Sequence, residues 1–313
     1  MKKVIFLALA LIFIFNKVDA QSSLNNYTVV KIIHDNKNFN YVAISRIYKK
    51  YPNVMFLTMR GGGITSLDIS DSSDPKNIKL IKGYKVPGFN GEFSLLHDKV
   101  YTQNKKVYVA ATSALTNKLV IIEITDNKPK FINSIKTVKG IEGIYVKKYD
   151  NHVYAIVGGF FSNSIEVLDI TNPKDIKHIK TLTKSYYLQM CPSTTKNANI
   201  LFMALWGDKC GRLASFDITD PANIKELSHT CSIESAKANR VRVSGNYAFL
   251  PLEQGNTGAF SIIDISNPYN LKQVAIIKDI PNIKKSYTLS VKDNYIYIFG
   301  SKNNNLAVLK LKG

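Results

Sequence analysis

The stretch Val167-Leu168-Asp169-Ile170-Thr171-Asn172-Pro173 sets one acidic residue inside an apolar run and follows it with a proline turn. The same pattern recurs as Ser66-Leu67-Asp68-Ile69-Ser70, Ile121-Ile122-Glu123-Ile124-Thr125, Ser215-Phe216-Asp217-Ile218-Thr219 and Ile262-Ile263-Asp264-Ile265-Ser266. A sixth copy, Val308-Leu309-Lys310-Leu311, carries lysine in the acidic slot. Successive slots lie 55, 46, 48, 47 and 46 residues apart. Near-constant spacing of this size marks a repeat architecture in which each unit is a four-stranded sheet.

Working outward from the slot, each unit divides alike. Upstream lies an aromatic, β-branched run of strand length, such as Val153-Tyr154-Ala155-Ile156 or Tyr295-Ile296-Tyr297-Ile298. A Gly- or Asn-rich turn, such as Gly61-Gly62-Gly63 or Asn303-Asn304-Asn305, joins it as a hairpin to the acidic strand. A proline turn follows at Asp74-Pro75, Asn172-Pro173, Asp220-Pro221 and Asn267-Pro268, and the outer strand begins at Ile78, Ile176, Ile224 and Leu271. In the second unit Pro129 falls later. With strands lettered A to D from the axis outward, the last unit stops after strand C. Tyr27 to Ile33 is an unclaimed strand that can supply the missing D. The expected fold is all-β: a six-bladed β-propeller over residues 27–313, its ring closed by an N-terminal strand that removes both exposed edges.

The Leu/Ile-x-Asp-Ile-Ser/Thr-Asp/Asn-Pro core resembles the LVIVD repeat, a family of secreted propellers known mainly from bacteria. The resemblance extends over essentially the whole chain after residue 26. It departs in one respect: repeats of the family often carry a second proline where Ile78, Ile176, Ile224 and Leu271 stand here. The resemblance implies a fold and no assigned chemistry.

Residues 1–20 read as a secretory signal peptide, with Lys2 and Lys3 before the apolar run Val4–Phe15 and Val18-x-Ala20 before the cut. A short segment, 21–26, then leads into the propeller. The apolar run is short for a bilayer span, and no later stretch approaches membrane length, so a secreted or extracytoplasmic, monomeric product is expected. Loss of the leader lowers the formal charge from +19 to +17, by removal of three lysines and one aspartate. Such a surplus favours acidic partners: anionic lipid, sulfated or sialylated glycan, or nucleic acid. The lysines are scattered, however, which equally fits a solvated surface of compositional origin. Three cysteines cannot form a disulfide framework. The topology predicts a Cys210–Cys231 disulfide, with Cys191 late in its A strand, at the opposite rim, and free.

The chain contains no Gly-x-Ser-x-Gly, His-Glu-x-x-His, P-loop or Cys-x-x-Cys motif, and no specific nucleic-acid motif. Its five histidines occupy dissimilar repeat positions, so neither a metal site nor a cofactor is expected. The repeated aspartate is expected to bond its own turn, because a functional site grafted onto a repeat should break the repeat. Breaks fall on the rim formed by the B–C turns and D–A links. They place Arg60, Phe160, Phe161, Trp206 and Lys209 in the turns, and Tyr84, Phe89, Tyr186, Tyr187, Lys284 and Lys285 in the links, as a candidate binding rim. Arg240 and Arg242, beside Glu92 and Glu142, are candidates for a charge network in the channel, either a ligand pocket or a plug. The expected function is non-enzymatic binding of a protein or an acidic glycan. The alternatives are a propeller hydrolase or lyase with its site at the channel mouth, and a periplasmic ligand sensor.

Overall fold

The computed structural model describes residues 27–34, 42–48, 51–59, 63–68, 79–85, 95–113, 116–125, 128–187, 190–194, 199–206, 212–231, 238, 240–253 and 256–311. The expected leader, 1–20, lies outside these. Within them the chain is all-β, apart from one 3-10 turn at Pro221–Asn223.

The first strand among the described residues is β1 (Tyr27–His34). Sheet one is β2 (Val42–Tyr48), β3 (Tyr51–Met59), β4 (Gly63–Asp68) and β5 (Lys79–Lys85). Sheet two is β6 (Leu95–Gln103), β7 (Lys106–Ser113), β8 (Lys118–Thr125) and β9 (Lys128–Lys136). Sheet three is β10 (Ile141–Tyr149), β11 (His152–Gly159), β12 (Ser164–Asp169) and β13 (Lys177–Thr183). Sheet four is β14 (Met190–Thr194), β15 (Ile200–Leu205), β16 (Arg212–Asp217) and β17 (Lys225–His229). Sheet five is β18 (Arg242–Ser244), β19 (Tyr247–Pro251), β20 (Gly258–Asp264) and β21 (Lys272–Ile280). Sheet six joins β22 (Ser286–Lys292), β23 (Tyr295–Gly300) and β24 (Asn305–Leu311) to β1, which pairs antiparallel with β24.

The first strands of the sheets touch in cyclic order, β2 to β6, β10, β14, β18, β22 and back to β2. The sheets therefore radiate as in a β-propeller and pack face to face. This explains why the second strands read as unbroken apolar runs: both faces are covered. On β11, Val153, Ala155 and Val157 pack against sheet two, while Tyr154 and Ile156 pack against sheet four. On β23, Ile296 and Ile298 face sheet five, whereas Tyr295, Tyr297 and Phe299 share a cluster with Met55 of sheet one.

The acidic slot works as a local clamp. Oδ1 of Asp169, Asp217 and Asp264 accepts the backbone N–H two residues on, from Thr171, Thr219 and Ser266, each at 2.8 Å. A second turn of the same kind follows at once: Oδ1 of Asn172, Asp220 and Asn267 accepts from Lys174, Ala222 and Tyr269. The two turns reverse the chain around the proline without leaving donors unpaired. Just beyond, Ile176, Ile224 and Leu271 are buried between sheets.

Beside the slot, every outer strand carries an extra residue. The register slips at Ser66/Leu67, Ile121/Ile122, Val167/Leu168, Ser215/Phe216 and Ile262/Ile263. In sheet six it slips between the partners of Val308 and Leu309, where β1 skips Val30. The N-terminal strand thus reproduces the bulge of a D strand. Between sheets three and four, the buried Lys147 ammonium donates to Asn199 Oδ1 (3.0 Å) and to the carbonyls of Ile218 (2.5 Å) and Thr219 (3.3 Å). Burial lowers its pKa, opposed by the charges of Asp217 and Asp220.

One sequence-based placement is corrected. Cys191 is the second residue of β14 and pairs with Ala204, near the end of β15. It therefore lies at the rim of the β15–β16 turn, not at the opposite one, because β14 begins later in the chain than its apolar pattern suggests.

Asp264→Ala should lower stability by about 1 kcal/mol through the unmatched Ser266 N–H. Asp264→Asn, which keeps the acceptor, should cost less than half as much; urea midpoints of both variants check this.

Candidate binding rim and channel mouth

Links between sheets and hairpins between second and third strands are stitched together along one rim. Asn117 O accepts from Thr137 N, Gly140 O from Phe160 N, Asn163 O from Lys184 N and Lys285 O from Ser301 N. The Asn at several hairpin tips supplies the left-handed conformation this geometry needs, with φ of 54° at Asn117, 51° at Asn163 and 50° at Asn304.

Phe160 and Phe161 follow β11 on this rim. Their backbone N–H groups donate to Gly140 O and Lys139 O. Gly140 has φ +71°, and a Cβ there would meet Phe161 Cδ2 at 2.6 Å, so glycine is required both for its backbone conformation and for the approach of the ring. Phe161 meets Phe160 edge to face at 4.5 Å, and Phe160 meets Trp206 of sheet four at 5.0 Å. Phe160 and Trp206 are half-buried, whereas Phe161 is 67% exposed. The buried Trp206 Nε1–H has no acceptor among the described residues.

Tyr186 and Tyr187 lie in the link from sheet three to sheet four and converge on Glu226 of β17. Tyr187 Oη donates to Glu226 Oε2 at 2.6 Å, Tyr186 Oη at 3.0 Å, and Lys184 Nζ lies 2.6 Å away; His229 Nδ1 is 2.7 Å from Oε1. Burial pushes the Glu226 carboxyl up, but bonds from Lys184, Tyr187, His229 and Tyr186 outweigh it and hold the group below its ordinary range. Tyr187 is raised well above the usual phenol range by burial, then by its bond to Glu226. Tyr187 is fully buried and packs on Phe216, so it is a strut between sheets and not an exposed anchor. The aromatic pair in the link misleads from sequence alone, because the carboxylate that captures it lies 40 residues on. A signal did exist: Glu226 is the only acid at the second position of an outer strand, where other units have Leu80, Pro129, His178 and Gln273.

At the axis, the fully buried Arg240 places Nη1 3.7 Å from Glu142 Oε2. Its Nη2 donates to Tyr287 Oη at 3.1 Å, and the guanidinium carbon lies 4.8 Å from the Tyr287 ring centre. Glu142 and Tyr287 occupy the extra position of matching bulges at the starts of β10 and β22. Sheets three and five are not neighbours, so the Arg240–Glu142 contact crosses the channel. Thr112 Oγ1 donates to the Glu142 carbonyl at 2.8 Å. Arg242 Nη1 turns to the Val241 carbonyl.

Lys284 is exposed, with its N–H donating to Asn303 Oδ1, and Lys285 adopts φ 55° beside it. Tyr84 pairs with Ile64 near the end of β5. Arg60, Phe89, Glu92, Lys209 and Cys210 lie outside the described residues. Among the described residues no group of three His, Cys, Asp or Glu converges as metal ligands, and no helix is long and apolar enough to cross a membrane.

Residues 235–278 match the LVIVD repeat, as the sequence motif implies. No curated protein matches the chain. Similar solved structures include a functionally unknown protein from Desulfotomaculum acetoxidans, 14% identical over 79% of this chain and 72% of that one, with a TM-score of 0.54. The Cps50 (Swd1) β-propeller domain of Myceliophteria thermophila is 10% identical over 83% and 81%, with a TM-score of 0.55. A Lactobacillus plantarum protein is 12% identical over 85% and 80%, with a TM-score of 0.56. At such identities the likeness is one of fold.

Glu226→Gln should reduce stability by about 2 kcal/mol at neutral pH, since bonds to a charged acceptor are lost. A carboxyl whose folded pKa is depressed adds stability above its ordinary value of 4.5 and loses it as pH falls through the folded value. Wild type and variant should therefore converge in acid, as urea midpoints at neutral and acid pH would read.

Proposed function

We propose that this chain is a secreted, monomeric, six-bladed propeller of one domain over residues 27–313, and that it works by binding and not by catalysis. Ring closure by β1 is supported by its pairing with β24 and by the shared bulge. Secretion through residues 1–20 rests on their charge and hydropathy pattern. A Cys210–Cys231 disulfide belongs to the same reading. Cys231 follows β17, at the rim on which β15 ends and β16 begins, and Cys210 lies in sequence between those two strands. Cys191 is separated from β17 by two strands, about 14 Å at the usual strand spacing, beyond disulfide reach.

The partner is a protein or an acidic glycan, received on the rim of Phe160, Phe161 and Trp206. One observation carries this reading: Phe161 is 67% exposed, yet two turn N–H bonds, Gly140 and Phe160 hold it still. An apolar ring kept in water at a fixed position serves no packing purpose, and pre-ordering lowers the entropic cost of binding.

A second reading, a small-ligand or enzyme site at the channel mouth, draws on Arg240, Glu142 and Tyr287. The two readings separate on one pull-down from extracellular extract. Phe161→Ala should abolish capture, while Tyr269→Ala, equally exposed at 67% but on the opposite rim, should leave it unchanged. Equal effects of both, or loss only with Arg240→Gln, would overturn the rim reading.

A further inference from the structure

We infer that the Phe161 platform is a subsite for a pyranose ring bearing sulfate or carboxylate, that is, an acidic glycan. The inference rests on the rim-binding reading and narrows its partner.

Size comes first. Among the described residues the large exposed hydrophobics are Val107, Phe131, Phe161, Ile179 and Tyr269. Phe131 and Ile179 lie on the outer strands β9 and β13, Val107 follows the opposite-rim turn between β6 and β7, and Tyr269 follows the proline turn there. Phe161 is thus the one large apolar group exposed on its rim among them. A protein interface needs an apolar core of several side chains within roughly 800 Å² per partner. A single phenyl face offers far less, but it matches one sugar ring, whose axial C–H groups form an apolar face of similar size. The ring meets Gly140 at Cδ2 and Phe160 at a near right angle, and the rest of it is exposed and open to stacking.

Charge comes next. Lys136 and Lys139 are both exposed, and Lys139 is the residue whose carbonyl accepts from Phe161 N–H. The nearby acids are sequestered. Glu166 has a side chain only 7% exposed, with Oε2 accepting from Val138 N–H and Oε1 bonded to His178. Glu226 is enclosed by Lys184, Tyr186, Tyr187 and His229. Among the described residues the exposed charge on the link that holds the ring is therefore positive, and an anionic substituent on a stacked sugar would meet the ammonium groups of Lys136 and Lys139. Because both acids are engaged in hydrogen bonds within the sheets, this arrangement is built into the packing.

The test is calorimetric titration of the protein with a short heparin-derived oligosaccharide, its desulfated counterpart and a polyglutamate peptide. The sulfated sugar should bind and the desulfated one should bind more weakly. Phe161→Ala should weaken binding by about tenfold at every salt concentration, the size of a lost aromatic contact. A Lys136→Gln, Lys139→Gln pair should flatten the salt dependence, and Tyr269→Ala should change nothing. Equal binding of polyglutamate, or indifference to Phe161→Ala, would overturn the glycan assignment. If the sugar fails while Phe161-dependent capture from extract persists, the glycan assignment falls and the rim-binding reading stands. If both fail, both fall.

Discussion

The packing of sheets three, four and five hangs on the pair of side-chain turns that follows the third strand of each. The acidic side chain closes the first turn onto Thr or Ser, and Asn or Asp closes the second around the proline. Together they reverse the chain at low entropic cost and deliver one branched apolar residue into the gap between sheets. Without that delivery an outer strand such as β13, whose own faces are largely exposed, would be held chiefly by its backbone pairing with the third strand. A repeat built this way cannot bury its surfaces alone; each sheet depends on both neighbours, and the ring must close.

The repeat made the architecture legible. Strand order, the aromatic second strands and the role of the acidic slot all follow from residue types at fixed spacing. The outer-strand bulge was not legible, because it depends on pairing register and no residue type marks it. Cys191 shows the same limit: the polar run Ser193-Thr194-Thr195 gives no periodicity from which to place the start of β14, so its rim could not be read. Arg240 and Glu142 could be proposed as channel residues from their place on inner strands. Their meeting with Tyr287 across the axis depends on bulges that only coordinates reveal.

The rim shows how a repeat acquires something specific. Tyr187 and Phe161 are both aromatic, both in loops and both breaks in the pattern, yet they serve opposite ends. Tyr187 is drawn inward by Glu226 and becomes packing. Phe161 is held outward by backbone bonds to a glycine-containing link, and nothing covers it among the described residues. Their own sequence surroundings do not separate the two, because the deciding partners, Glu226 and Gly140, lie in other strands and links, and the one signal is the unusual acid at the second position of β17. Glu226 and Glu166, which help fix the links, spend their oxygens on bonds within the sheets, while Lys136 and Lys139 remain exposed.

The central claim is that β1 is a full member of the ring and not an appended strand. Native-state hydrogen exchange tests it most directly. If β1 closes the ring, its amides facing β24 should exchange only with global unfolding, as slowly as those between β20 and β21. Fast exchange confined to β1 and the free edge of β24, with the other sheets still protected, would contradict the account.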